Sequence, residues 1–176
     1  MNSKNIALSA VSAGLVALFL LVGAYFEMAD VFTVVIASVF VLLPLYYQSF
    51  KGAVLAYLAG GVVAFMCSGF NIMSLVFPAY FAFFGIYPIV KFYMMKKRVK
   101  DIFKLVLGLV WMVAVSIGLY FYYTAVMGVA IDDLPKFLVD YALLFVVAFS
   151  VVFFLVFDRF IFVVRRVMDY YLKRII

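Results

Sequence analysis

The sequence predicts an all-α integral membrane protein: a single membrane domain over 1–176 with six transmembrane helices, both termini in the cytoplasm, and a C-terminal amphipathic helix. Three observations predict it. The 176 residues are 71% hydrophobic and only 12% charged, where a soluble domain carries roughly 25% charged residues and too few apolar ones to coat its own exterior. Apolar runs near the ~20 residues that cross a bilayer recur along the whole chain, separated by short polar breaks. The basic residues gather in alternate breaks, as they do in cytoplasmic loops.

The runs fall at about 6–26, 31–47, 52–68, 72–90, 103–126 and 137–157. Glu27 to Asp30 separates the first pair and Gln48 to Lys51 the second. The third break, Ser68-Gly69-Phe70-Asn71, is weakly polar, but the two runs it divides are too long together for one span. The longest inner loop, near Lys91 to Lys104, divides the helices into four and two. From Arg159 onward, Ile161, Val164, Met168, Leu172 and Ile175 recur at helical spacing, with Arg159, Arg166, Asp169 and Lys173 on another face. The basic segment 159–176 therefore reads either as a helix lying on the inner membrane surface or as a continuation of the sixth span.

With six spans and the N-terminus inside, all 14 basic residues except Lys136 fall on the cytoplasmic side. The net charge of +6 thus reads as topology and anionic-lipid contact, not nucleic-acid binding. The acids Glu27, Asp30, Asp132, Asp133 and Asp140 lie on or near the outer face.

Small residues recur every four positions in two helices. Gly52, Ala56, Gly60, Ala64 and Ser68 form a stripe along the third, which suits packing inside the protein's own bundle. Ser9, Ala13 and Ala17 line up in the first, with Ala10 and Gly14 beside them. That face suits either internal packing or docking against another membrane protein. Pro44, Pro78 and Pro88 lie in or at the ends of runs and can kink them.

Several chemistries find no residues here. The chain has no histidine, which excludes imidazole metal sites and His-based triads. It has no Gly-rich phosphate loop. Its one cysteine, Cys67, cannot form an intrachain disulfide. The expectation is no enzyme activity, no metal and no cofactor. What remains is an outer-face set: Glu27, Asp30, Asn71, Tyr120, Tyr123, Asp140 and Tyr141. An aromatic pocket with acids at its mouth favours a neutral or cationic solute; the competing reading is ordinary interfacial tyrosine enrichment.

The length, six helices, inner termini and small-residue row of helix one resemble the substrate-binding S components of energy-coupling factor transporters. The resemblance is architectural and rests on no ligand motif. It implies a vitamin-like small molecule bound from outside by the outer loops and helices four to six. It also implies a transmembrane coupling subunit, docked at Ser9, Ala13 and Ala17 or at Ala10 and Gly14, with two cytoplasmic ATPases. The leading expectation is therefore solute binding for uptake at the cell membrane. The alternative is a non-transporting scaffold or partner subunit of a membrane complex. The rod-shape membrane scaffold family has a similar fold, but its Pro-Asp-Leu type signature is missing here.

Overall fold

The structure is a computed structural model that describes residues 3–47, 49–127 and 141–172, leaving undescribed the side chains of Glu27, Met127, Asp169, Tyr171 and Leu172. Among the described residues every regular element is helical. α1 is Ser3–Tyr25, α2 Asp30–Tyr46 and α3 Phe50–Cys67. The fourth run is a composite: α4 (Val76–Ala79), a π-helical turn (Tyr80–Phe84) and α5 (Tyr87–Lys96). α6 is Asp101–Met127 and α7 is Ala142–Leu172. Five helices are long and apolar enough to cross a membrane, counting Val76–Lys96 as one; α2, at 17 residues, is apolar but shorter.

α1 packs between α2 and α3, and the contacts are made where side chains are smallest. A Cβ on Gly60 would stand 2.6 Å from Val16 Cγ1 and 2.9 Å from the Ala13 carbonyl oxygen, so this glycine sets the α1–α3 separation. Gly108 does the same for α6: a Cβ there would come within 2.7 Å of the Phe154 ring and 2.8 Å of the Tyr87 ring. The α3 stripe of Gly52, Ala56, Gly60 and Ala64 is buried, as packing inside the bundle requires.

The weakly polar third break is a helix stop with defined chemistry. Gly69 adopts φ +71 and Phe70 φ +57. The Phe70 N–H donates to the Phe65 carbonyl and the Gly69 N–H to the Met66 carbonyl, each at 3.1 Å. This is the paired bonding of a Schellman cap, completed by Phe70 packing on Phe65 with ring centroids 5.3 Å apart. The α5 terminus repeats the pattern with Arg98 at φ +54: Val99 donates to Met94 and Arg98 to Met95, each at 3.1 Å.

The fourth span departs from a plain helix at its centre. The Gly85 N–H donates to the Tyr80 carbonyl at 2.9 Å, five residues back, instead of to Phe81. The Phe81 carbonyl is taken instead by the Tyr57 hydroxyl of α3 at 2.8 Å. A backbone group released within lipid needs such a partner. Pro88 sits in the first turn of α5, where its missing N–H costs least. The π turn presents Tyr80, Phe83 and Phe84 to the core, where Phe83 stacks on Tyr87 at 4.9 Å and meets Trp111, Phe154 and Phe157.

The boundaries differ from expectation in three helices. The fourth span is shifted later, because residues 71–74 form the turn into Val76. α6 begins at Asp101, whose carboxylate pairs with Lys104 at 2.5 Å across the first turn. α7 begins at Ala142 and runs without a break through Arg159 to Leu172, 31 residues in all. Of the two readings of 159–176, the described part, to Leu172, continues the helix that begins at Ala142. At 1.5 Å per residue α7 is roughly 46 Å long, well beyond a ~30 Å hydrocarbon core.

Candidate functional site

Two cavities adjoin at the end of the bundle where α1 and α3 finish and α2 and α4 begin. The larger, about 700 Å³, lies between α2, the α4–π segment, α6 and α7. Val34, Val76, Phe84, Phe149 and Phe153 supply apolar wall, and Asp30, Ser116 and Ser150 supply its polar groups. The Ser150 hydroxyl donates to the Val146 carbonyl at 2.6 Å, so its hydrogen is committed to its own helix. The smaller cavity, about 300 Å³, is lined by Gly23, Asp30, Asn71, Ser74 and Tyr123, among others. Asp30 and Leu75 line both cavities.

The convergence has local causes. Asp30 opens α2, where a carboxylate suits the positive end of the helix dipole. Thr33 donates to the Asp30 carbonyl at 3.0 Å, and Gly23 leaves the space that Thr33 and Val76 fill. Asn71 follows the α3 cap, where its N–H donates to Ser68 Oγ at 3.4 Å. Tyr123 comes from the last turns of α6. The large cavity reaches the ring pair of Phe84 and Phe153, whose centroids are 5.9 Å apart. It opens sideways along α7, where Phe145 and Phe149 are 48% and 68% exposed.

The structure thus brings together Asp30, Asn71 and Tyr123 of the sequence-derived set. Tyr120 packs on Phe121 with centroids 5.6 Å apart and lines neither cavity. Tyr141 is exposed at the start of α7 and lines neither. Asp140 and the Glu27 side chain lie outside the described residues. Sequence reading missed the apolar wall. Tyr122, which the sequence places in the same outer half of its helix, lines neither cavity; its hydroxyl donates to the Ile72 carbonyl and ties α6 to the turn before α4.

The α1 row splits. Ser9 and Ala17 are buried and Ala13 half-buried, all toward the bundle; Ser9 donates to the Asn5 carbonyl at 2.7 Å. Ala10 and Gly14 are exposed, and a Cβ on Gly14 would meet nothing within 4 Å.

A second polar group was not anticipated. Asp158, within α7, forms an ion pair with Lys91 of α5 and accepts from the Tyr87 hydroxyl. Lys91 also donates to the Asp158 carbonyl at 3.3 Å. The two charged side chains are 12% and 18% exposed. The signal available in the sequence was Asp158 itself, an acid set between Phe157 and Arg159 near the end of a long apolar run. A charge in such a place requires a partner.

No protein-family model, curated protein or solved structure matches the chain.

Proposed function

We propose that this protein is a solute-binding membrane subunit of the S-component type. In this reading six spans leave both termini in the cytoplasm, and the paired cavities face outward. The observation that carries it is the junction of an apolar cavity with a smaller polar one at Asp30. A volume of several hundred Å³, mostly apolar with a few placed polar groups, is the usual form of a small-molecule site. The ligand class that fits is a largely apolar, vitamin-sized solute bearing a neutral polar or cationic group toward Asp30, Asn71 and Tyr123. Energy for uptake would come from a transmembrane coupling subunit and its ATPases, docked at the open Ala10 and Gly14 face of α1.

The test is a thermal-shift and equilibrium-binding screen of purified protein against neutral and amine-bearing solutes. Ser116→Phe, which fills the larger cavity, should abolish binding without lowering the unbound melting temperature. Asp30→Asn should weaken a cationic ligand at least about tenfold, the loss of one charge-assisted contact. A hit that binds both variants unchanged would place the ligand elsewhere.

The second reading, a scaffold or partner subunit, draws on the same open α1 face. Gly14→Leu should abolish co-purification of a membrane partner in either case. ATPase subunits in the wild-type complex favour uptake, and their absence from an otherwise intact complex favours the scaffold.

A further inference from the structure

The wall of the larger cavity follows the helix axes. Met112, Ser116 and Leu119 line it from α6 and Val146, Ser150 and Phe153 from α7, each set spanning roughly 10 Å along its helix. The space is therefore a slot that runs with the helices. Its two most exposed lining residues are Val31 of α2, at 55%, and Phe149 of α7, at 68%. The slot thus has a side mouth between α2 and α7. With α7 entering the membrane at Ala142, Phe149 lies roughly 10 Å deep in a ~30 Å hydrocarbon core, so lipid and not water meets that mouth. The adjoining polar cavity holds Asn71 and Tyr123. Among the described residues neither the Asn71 side-chain amide nor the Tyr123 hydroxyl forms a hydrogen bond. Both groups can donate and accept, which suits a hydroxyl on a ligand.

We propose that the solute of the binding-subunit reading, on which this inference rests, is a neutral single-chain amphiphile dissolved in the bilayer. It enters between α2 and α7, its hydrocarbon chain lies in the slot, and its hydroxyl-bearing head sits at Asn71 and Tyr123. A water-borne solute has no use for an apolar side mouth, whereas a membrane-dissolved one arrives at it directly. A cavity of about 700 Å³ is the size of a drug-like ligand's site and takes one chain, not a two-chain phospholipid. Moving that chain from lipid into the slot exchanges one apolar medium for another, so the chain contributes packing and little hydrophobic energy. Selectivity then falls to the head, which loses its hydrogen bonds if Asn71 and Tyr123 are removed.

The experiment is photolabelling of the purified full chain in dioleoylphosphatidylcholine nanodiscs. The probe is mono-oleoylglycerol with a diazirine near the middle of its chain, and the label is mapped by peptide mass spectrometry. It should fall on segments 112–119 and 146–153, and excess unlabelled mono-oleoylglycerol should suppress it. Asn71→Ala with Tyr123→Phe should raise the concentration needed for suppression at least about fivefold, the worth of one neutral hydrogen bond. Ser116→Phe should remove the slot label. Equal slot labelling by a phosphatidylcholine bearing the same diazirine chain would mean that bulk lipid fills the slot, and would overturn the proposal. Slot labelling that unlabelled mono-oleoylglycerol does not suppress would overturn it too. If compact amines bind in a manner abolished by Ser116→Phe while mono-oleoylglycerol gives no suppressible label, the amphiphile falls and the binding-subunit reading stands. If Ser116→Phe affects neither, both fall. The competition arm uses wild type alone, and melting curves on each variant separate lost binding from lost fold.

Discussion

Replacing Lys91 by methionine leaves the Asp158 carboxylate with the Tyr87 hydroxyl as its remaining described side-chain partner. Breaking a buried ion pair from one side costs about 3–5 kcal/mol, because the surviving charge is left desolvated. The residual 12% and 18% exposure of Lys91 and Asp158 and the Tyr87 contact bring the expectation to the lower end, about 3 kcal/mol. Asp158→Leu should cost a similar amount by stranding the ammonium. The double variant strands neither charge. Its remaining penalty is the Tyr87 hydroxyl without its acceptor, about 1–3 kcal/mol. The two singles together should therefore exceed the double by about 3–5 kcal/mol, a large coupling for neighbouring residues. Adding Tyr87→Phe should recover most of the remainder. The assay is reversible unfolding in dodecylmaltoside with a rising fraction of dodecyl sulfate. Trp111 is the chain's one tryptophan and meets Phe83 at 5.8 Å, so its fluorescence reports this layer directly. Additive single-variant costs, with coupling below about 1 kcal/mol, would refute the reasoning and mean that water already reaches the pair.

Gly60→Ala should destabilise by about 1–2 kcal/mol in the same assay, since overpacking against Val16 and the Ala13 carbonyl outweighs the gain in helix propensity. Gly14→Ala, in open space, should be neutral or stabilising by up to about 1 kcal/mol; the opposite order would place the α1–α3 contact elsewhere. Arg98→Gly should raise stability by about 1 kcal/mol, because the left-handed position at the α5 cap suits glycine; a loss would mean that the arginine side chain contributes more than its backbone costs. For orientation, Ile72→Cys in a Cys67→Ser background should react with a membrane-impermeant maleimide in intact cells. Lys97→Cys in that background should react only after permeabilisation, and the reverse pattern would invert the proposed topology.

Where hydropathy alone decides, the sequence is a sufficient guide: α1, α2, α3 and α6 fall within a few residues of their apolar runs. Asp30, Asn71 and Tyr123 were legible as a group for a topological reason. Each lies at a helix end, and helices that alternate in direction bring those ends together. Tyr120, three residues before Tyr123, misses the cavities, because the rotation of α6 is set by packing that composition does not encode. Spacing in fours marks a face of α1 but not its neighbour, so Ser9 and Ala17 turn inward while Gly14 faces out. Asp158 was illegible for a related reason. Hydropathy ends a span at the first charge, whereas α7 continues because Lys91, 67 positions away, neutralises that charge. The π turn is likewise a product of tertiary structure, since it depends on the Tyr57 hydroxyl reaching Phe81.

These missed features set how the two ends of the protein relate. The apolar cavity stops at Phe84 and Phe153. Beneath that floor Phe83, Tyr87, Phe154 and Phe157 fill the interior, and the Lys91–Asp158 pair ties α5 to α7. Beyond it, at the other end of the bundle, Phe92 and Arg165 line a separate cleft. A solute seated near Asp30 would have to pass this layer to reach the other end, which requires α7 to part from α5. That separation would strand two charges and open the aromatic layer of Phe83, Tyr87, Phe154 and Phe157. Such a barrier is large against the few kcal/mol that a bound small molecule can redirect into a conformational change. On the proposed binding-subunit reading, this layer would hold a solute at one end and not conduct it through the chain. If the Lys91→Met variant were to let solute leak across sealed vesicles while wild type did not, the ion pair would be the lock on that path. If wild type alone conducted, the floor would be no floor at all, and the binding-subunit reading would fall with it.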